Sequence, residues 1–588
     1  STNNVIYQMN LTAGANDAVL TGLTLTTAGT YNNTTDFVGT NGFKIWISPS
    51  STFSATTATP IGVFAPVASG ATISTSILAQ SIPASATRYI YFTADVLAGA
   101  TVGNTINITA TPLGNIVLAD AGTKTGSAGI GGVKTISPAP SISAVPSTLP
   151  SMFTYFGTAS GAQSYALTGA YLTANLNVTA PTNFEVSSDG TNFFPSLSLT
   201  PVSQSVSATI YVRLTSSAPV GTYTSQLVTN ASTGATTQNV TVSGTVVAAA
   251  TSFTAGDIVV YRIGNGALSS SATATFVDEF QPIASSPLVQ SIAMPTGING
   301  SNRMLTNSGT ATSEGSMSLS VDGQYLCVGG YDAAVGTATI ASTTAASTNR
   351  IVGRIGADGS VNTSTRIPDG FDGNNLRSVT SIDGTGFWAT GAGNLNTGGV
   401  RYITLGNNTS TQLSTAPTNA RVIAIYGNQL YVTSATSNVG LNTEGSGVSS
   451  STGLVTTTIT LPSNPTDAYG YVLLDRDATV PGTDVLYIAN NAGGLLKYSF
   501  DGTSWTARGS ITGNVTAVTG KVNGANADLY VVSANSSTSA TQCDLYKVVD
   551  VANYNANITG SGGAVSAVPG AVLIKSSATN TVYKGVAF

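Results

Sequence analysis

Met317-Ser-Leu-Ser-Val-Asp-Gly-Gln-Tyr-Leu-Cys-Val-Gly-Gly330 reads as a short strand, a polar Asp-Gly turn and a second strand with an aromatic residue. The same order returns in Leu376-Arg-Ser-Val-Thr-Ser-Ile-Asp-Gly-Thr-Gly-Phe-Trp-Ala-Thr-Gly391 and in Ala420-Arg-Val-Ile-Ala-Ile-Tyr-Gly-Asn-Gln-Leu-Tyr-Val-Thr433. Looser copies start near Tyr469 and Val515. Asp-Gly between two strand patterns is a hairpin signal, because glycine supplies the positive φ a tight turn needs. The starts recur at roughly 45–60 residues, close to the four-strand repeat of a propeller blade. A further strand pair follows each copy, as in Val400–Leu405 and Leu495–Phe500. Thr581–Phe588 reads as the first strand of one more blade, with Asp257–Ile263 and Ala274–Asp278 as its partners. A blade shared by both ends of the region closes the ring and leaves no open edge. The expectation is a β-propeller over 250–588, six-bladed, with seven blades as the alternative.

Upstream the strand pattern continues. In Val5–Leu11 the residues Val5, Tyr7, Met9 and Leu11 fall on one face. Val19–Thr26, Phe43–Ser48, Ile61–Ala65, Tyr89–Val96 and Asn104–Thr111 add regularly spaced strands, which predicts a β-sandwich over 1–135. Ile136–Pro146 is rich in proline and serine, so 136–150 reads as a short semi-rigid linker. Ala174–Ala180, Phe184–Ser188, Ala208–Ser216, Tyr223–Asn230 and Gln238–Val247, with a tight turn at Asp189-Gly190, predict an Ig-like sandwich over 151–249. No stretch carries a 3.6-residue apolar period with caps. The fold class is therefore all-β, two sandwiches followed by a propeller.

The chain has 588 residues and no histidine, and only 8% are Asp, Glu, Lys or Arg, against ≈ 25% in an average soluble domain. The usual general base and a common metal ligand are thus missing. With 41% hydrophobic residues and a net charge of -5, the composition is not that of a disordered chain. No Lys/Arg cluster supports nucleic-acid binding, and no apolar run is long enough for a transmembrane helix. The chain opens at Ser1 without a signal-peptide pattern and reads as a processed form.

No residue is assigned as catalytic, cofactor-binding or metal-ligating. Cys327 and Cys543 sit in apolar strand patterns and read as buried thiols, with a disulfide left open. Asp322 and Asp383 occupy equivalent Asp-Gly turns and read as turn formers. The loop Asp369-Gly-Phe-Asp372-Gly-Asn374-Asn375 is oxygen-rich, but lacks EF-hand spacing and reads as a solvated loop rather than a calcium site. In Asp475-Arg476-Asp477 the arginine is expected to pair with its neighbours, with a metal as the alternative. Tyr426, Tyr431, Phe387 and Trp388 read as packing between blades rather than a sugar-binding face. The N-x-S/T triplets at Asn10, Asn107, Asn177, Asn230 and Asn514 are taken as chance in so Asn- and Thr-rich a chain. No serine-nucleophile elbow or phosphate loop occurs.

A resemblance adds to this. Ala180-Pro-Thr-Asn-Phe-Glu-Val-Ser-Ser-Asp-Gly190, Ile210-Tyr-Val-Arg-Leu214 and Val240-Thr-Val-Ser-Gly-Thr-Val246 resemble a sandwich module of large secreted surface proteins of Bacteroidota and related bacteria, many exported by the type IX route. The stretch 257–588 is similar to a propeller found in such proteins, through Val259-Val-Tyr-Arg262, Ala311-Thr-Ser-Glu-Gly315 and Gly585-Val-Ala-Phe588. The resemblance implies an extracellular or cell-surface protein and brings no catalytic residues. No sorting domain follows Phe588 in this sequence, which leaves the export route open. Lys44, Arg88, Lys124, Lys134 and Arg213 are the whole basic complement of residues 1–250, so strand edges lack the lysines that discourage edge pairing. The expected function is a non-enzymatic structural or adhesive protein, a surface, matrix or filament subunit that associates with itself or other surface proteins. The alternative is a monomeric adhesin whose propeller face binds carbohydrate or protein. A propeller hydrolase or lyase ranks last, for want of clustered carboxylates.

Overall fold

The structure is a computed structural model that describes residues 1–120 and 122–588. Among them every regular element is a β-strand except short 3-10 turns such as Leu113–Asn115 and Val565–Ala567. None is a helix long and apolar enough to cross a membrane. Alternating Val, Ile, Thr and aromatic residues favour pleated, half-buried strands, while Gly, Asn, Asp and Ser break them every few residues.

The first sheet pair sets Asn4–Thr12, Thr87–Ala94, Phe43–Ser48 and Thr59–Phe64, in that order, against Thr72–Ile82, Ala18–Gly29, Thr105–Ile108 and Lys134–Thr135. Leu20, Leu23, Leu25, Phe43, Ile45, Ile90 and Phe92 fill the space between them. Tyr7, Met9 and Leu11 face this core, but Val5 does not. The register of Asn4–Thr12 shifts between Val5 and Tyr7, and Val5 packs with Trp46 and Tyr91 instead. A bulge adds one residue and exchanges the two faces of the strand upstream of it.

The second pair sets Ser141–Val145, Gln163–Ala170, Val206–Leu214 and Phe184–Ser187 against Met152–Tyr155, Gln238–Val247, Gly221–Ala231, Leu176–Thr179 and Ser196–Leu199. The stretch 136–150 is not a free linker. Ile136 is buried in the first core, and Ser141–Val145 pairs with Gln163–Ala170. Its alternate apolar residues Ile142 and Ala144 reach the second core, and that burial outweighs the stiffness of the flanking prolines. Asp189-Gly190 is also not a two-residue hairpin. Gly190 has φ 74°, but Asp189 Oδ1 gathers the backbone N–H groups of Thr191 and Asn192 into a loop that closes only at the Val186–Phe194 bridge.

From Ile258 onward the strands form antiparallel meanders. Four four-stranded sheets run in chain order over Leu376–Ser414, Ala420–Thr458, Ala468–Ile511 and Asn514–Ser576. The remaining strands make one nine-stranded sheet. It contains Val582–Ala587, Ile258–Ile263, Ala272–Phe280 and Leu288–Ala293, and also Met317–Leu319, Tyr325–Tyr331, Arg350–Gly356 and Val361–Ile367. Thr306–Ser308 joins these two meanders by pairing with both Ala272–Phe280 and Tyr325–Tyr331. The Thr306 hydroxyl fixes the join through the carbonyls of Tyr331 and Ala333. The C-terminal strand Val582–Ala587 pairs antiparallel with Ile258–Ile263.

The first strand of each meander lies against the first strand of the next: Met317–Leu319, Leu376–Ser381, Ala420–Tyr426, Ala468–Leu474, Asn514–Asn523 and Val582–Ala587. Val582–Ala587 touches both Asn514–Asn523 and Met317–Leu319, so the contacts return to their start. These strands are called the ring strands below.

Candidate functional site

The ring strands surround a channel of about 380 Å³. Ser316, Thr380, Tyr426, Gly470, Thr519 and Phe588 contribute to its wall. The chemistry collects where the ring strands begin. There, all but one of them carry a register shift against their neighbour. The pairing steps from Leu376 to Ser378 past Arg377, and from Ala420 to Ile423 past Arg421. It steps from Ala468 to Tyr471 past Tyr469, from Val515 to Ala517 past Thr516, and from Gly585 to Tyr583 past Lys584. An extra residue in one strand bends it and redirects a side chain out of the sheet's alternation. Repetition of the bulge around the ring brings Arg377, Arg421, Tyr469, Thr516 and Lys584 to the same end.

The segment that leads into Met317–Leu319 crosses this end. The Tyr469 hydroxyl lies 3.3 Å from Thr312 Oγ1. Glu314, 2% exposed, accepts hydrogen bonds from the Tyr331 hydroxyl at 2.7 Å and the Ser308 N–H at 2.9 Å. The side-chain amides of Asn307 and Asn375 also donate to it. Asn307 in turn accepts from the buried Tyr261 hydroxyl. Gly315 is required beside Lys584: its φ is 79°, and a Cβ there would sit 2.9 Å from the Lys584 Cβ.

Arg377 is 8% exposed. Its Nη1 donates to the Ala420 carbonyl at 3.1 Å and to the Asn419 side chain. Its Nε has no acceptor. Burial, and then the neighbouring Arg421, push its pKa down to about 10. The Arg421 guanidinium stacks 4.1 Å from the centre of the Tyr469 ring. Its Nη1 pairs with Asp467 Oδ1 at 2.7 Å, while its Nε has no acceptor. Asp467 also accepts from the Asn491 amide. Burial pushes the Lys584 pKa down as well.

The residues singled out by sequence lie elsewhere. Asp322 and Asp383 hold their own turns, through Ser320 and Gln324 in one case and Thr385 in the other. Gly323 and Gly384 have φ 74° and 75°. Asp369 pairs with Arg401 at 3.3 Å and accepts from Ser410. Asp372 accepts the Ala345 N–H, and the Asn374 carbonyl accepts from Arg350. This loop's oxygens are thus engaged by protein donors. Arg476 does not pair with Asp475 or Asp477. It reaches into the next sheet, where its Nη1 lies 3.1 Å from Asp550 Oδ2. Lys497 Nζ, 2.8 Å away, and the Tyr487 hydroxyl, 2.6 Å away, complete a buried cluster. Burial opposes the Asp550 carboxylate, but its hydrogen bonds from Lys497, Tyr487 and Thr559 outweigh that and hold its pKa below the usual range. Asp484 instead takes the backbone N–H groups of Arg476 and Asp477.

Phe387 is core. Trp388 donates to the Ser449 carbonyl, and Tyr426 packs on Tyr431 and Tyr471 between adjacent sheets. Cys327 and Cys543 are both buried and free. Among the described residues no group of His, Cys, Asp and Glu is arranged to hold a metal ion. Sequence reading missed the cationic end of the channel, although one signal was present. Arg377 and Arg421 occupy the same second position of aligned repeats.

No protein-family model matches the chain, and no curated protein matches it. Solved structures similar to it include a Hadza microbial sialidase, Hz136, at 10% identity and a TM-score of 0.23, covering 90% of this chain and 93% of that one. Another is an auxiliary nutrient binding protein from Bacteroides thetaiotaomicron VPI-5482, at 8% identity and a TM-score of 0.26, covering 67% of this chain and 94% of that one. At these TM-scores the likeness extends to β-rich content and no further.

Proposed function

We propose that the chain is an extracellular, non-enzymatic adhesive protein. In this reading two sandwiches, residues 1–135 and 151–249, form a stalk for a six-bladed propeller, residues 250–588, that binds carbohydrate or protein. The observation that carries the reading is the seam between the second sheet pair and the ring. Met152 forms a parallel bridge with Ile298, with backbone bonds from Phe153 to Ile298 and from Ile298 to Ser151. The Tyr155 hydroxyl donates to the Ala293 carbonyl at 2.8 Å, and the Gly161 N–H to Asn299 Oδ1 at 2.7 Å. Gly161 packs so closely on Asn299 and Gly300 that no Cβ fits between them. Backbone and side-chain hydrogen bonds across this seam fix the ring on the second sheet pair, the arrangement of a head on a stalk.

A second reading is self-association. The sheet edges Ser141–Val145 and Ser196–Leu199 carry no charged side chain, and Val145 is 63% exposed. Such edges can accept a strand from another chain. Light scattering with negative-stain microscopy of the purified chain separates the two. Elongated monomers that bind saturably on a glycan or protein array support the adhesive head. Ordered fibres or sheets support the structural subunit, and monomers that bind nothing sink both readings.

A further inference from the structure

We infer that the ring carries a carboxylate-binding site at the end of its channel, formed by Arg377, Arg421 and Lys584. The inference rests on reading the ring as the binding head, and adds the chemical class of its ligand.

The charge at this end is unbalanced. Arg377, Arg421 and Lys584 face the carboxylates of Glu314 and Asp467, which leaves one positive charge over. Glu314 is already saturated by Tyr331, Ser308, Asn307 and Asn375, so it has no lone pair to spare. Asp467 is shared between Arg421 and Asn491. Among the described residues Lys584 makes neither a hydrogen bond nor an ion pair, and Arg421 pairs with Asp467 through Nη1 and leaves Nε without an acceptor. Arg377 bonds through Nη1 alone.

This differs from Arg350 and Arg476, although Arg303 also has a buried Nε without an acceptor. Nε of Arg350 and of Arg476 also lacks an acceptor, but their remaining donors are filled. Arg350 donates to the carbonyls of Thr343, Thr348 and Asn374. Arg476 donates to Asp550, Tyr487, Ala525 and Ala552. Those arginines build structure, whereas Arg377 and Arg421 use Nη1 alone and Lys584 has no partner among the described residues.

A buried cation without an acceptor destabilises a fold. Here the cost recurs on two ring strands, at Arg377 and Arg421, each at a bulge that redirects its side chain. Donors positioned before the ligand arrives lose no further freedom when it binds, which is how preorganised sites gain affinity. Two guanidiniums present planar N–H pairs that match a planar carboxylate. The single surplus charge suits a monoanion rather than a phosphate dianion. Thr516 Oγ1, buried and without a partner, adds a neutral hydrogen-bonding group at the same level of the ring.

The test is calorimetric titration of the full chain with sodium glucuronate, with glucose as the neutral match and with phosphate and sulfate at equal ionic strength. Glucuronate should bind saturably and glucose should not. Arg377→Gln, Arg421→Gln and Lys584→Met should each weaken binding by about tenfold or more, while Arg213→Gln, a surface ion pair in the second sandwich, should leave it unchanged. If Arg377→Gln fails to fold, Lys584→Met at its partly buried position carries the comparison. No saturable glucuronate binding, or binding indifferent to Arg421→Gln and Lys584→Met, overturns the site. Selective binding of phosphate or sulfate overturns the carboxylate class. Glucuronate binding lost in the variants, with no array ligand, retires the adhesive reading and keeps the site. An array ligand retained by all three variants does the reverse.

Discussion

Glu444→Gln is expected to stabilise the protein at neutral pH. Glu444 ends the strand Gly440–Glu444 and is fully buried. Its oxygens lie 2.9 and 3.1 Å from Thr456 Oγ1, and no cation pairs with it among the described residues. Thr456 Oγ1 also lies 3.1 Å from the Ala416 carbonyl, and a hydroxyl has one proton to give. A protonated Glu444 resolves the conflict by donating to Oγ1 and leaving the hydroxyl proton for Ala416. Burial accordingly pushes its pKa from the ordinary 4.5 up to about 8. An acid with a raised folded pKa contributes stability that is fully present below its unfolded value and is lost as pH climbs through the folded one. At 1.36 kcal/mol per pH unit, the gap between 4.5 and about 8 sets a ceiling of about 5 kcal/mol above pH 8 and about 3 kcal/mol at pH 7. Glutamine keeps the volume, stays neutral and donates an amide N–H to Thr456. Scanning calorimetry of both proteins between about pH 4 and pH 9 reads the effect. The variant should melt higher at neutral and alkaline pH, and the two should converge in acid. Equal or lower melting of the variant at pH 8, or a gain that persists at pH 4, would refute the reasoning.

Asp550→Asn should destabilise by about 3–5 kcal/mol, because Arg476 and Lys497 then remain buried without a counter-charge; a chemical-denaturation midpoint that does not fall would show that the cluster is not ionised. Cys327 and Cys543 should resist a thiol reagent in the native protein and both react after denaturation. Burial pushes the Cys327 pKa up to about 12 and that of Cys543 up as well. Rapid native labelling of either thiol, followed by mass spectrometry, would contradict their placement.

Much of the strand pattern was legible because the period-two alternation of a half-buried strand is local. Phe43–Ser48 and Gln238–Val247 have the bounds the pattern suggests. Asp322-Gly323 and Asp383-Gly384 form the turns their chemistry requires. Errors arose where a residue's surroundings come from distant chain. Val5 changes face because a bulge, invisible in composition, shifts the register. Ser141–Val145 looks like linker because its prolines dominate a local reading, yet a free edge some 20 residues downstream accepts it as a strand. Thr306–Ser308 has no strand signature at all and still joins two meanders.

The candidate site follows the same division. That Arg377 and Arg421 share a repeat position is written in the sequence, but an arginine early in a strand reads equally well as a solvated charge. Arg476 was paired with its neighbours by proximity in sequence, whereas its long side chain reaches Asp550 across a sheet boundary.

By itself the sequence determined the all-β class, the turn chemistry and the scarcity of acid–base groups, since these depend on residue type and on spacing over a few residues. Only the tertiary structure decided which buried charges meet. Charge pairing depends on distance in space, and closing the ring brings residues 314, 377, 421, 467 and 584 to one end of a channel. There, burial makes the unmade hydrogen bonds of Arg377 and Arg421 costly, and so makes those cations informative.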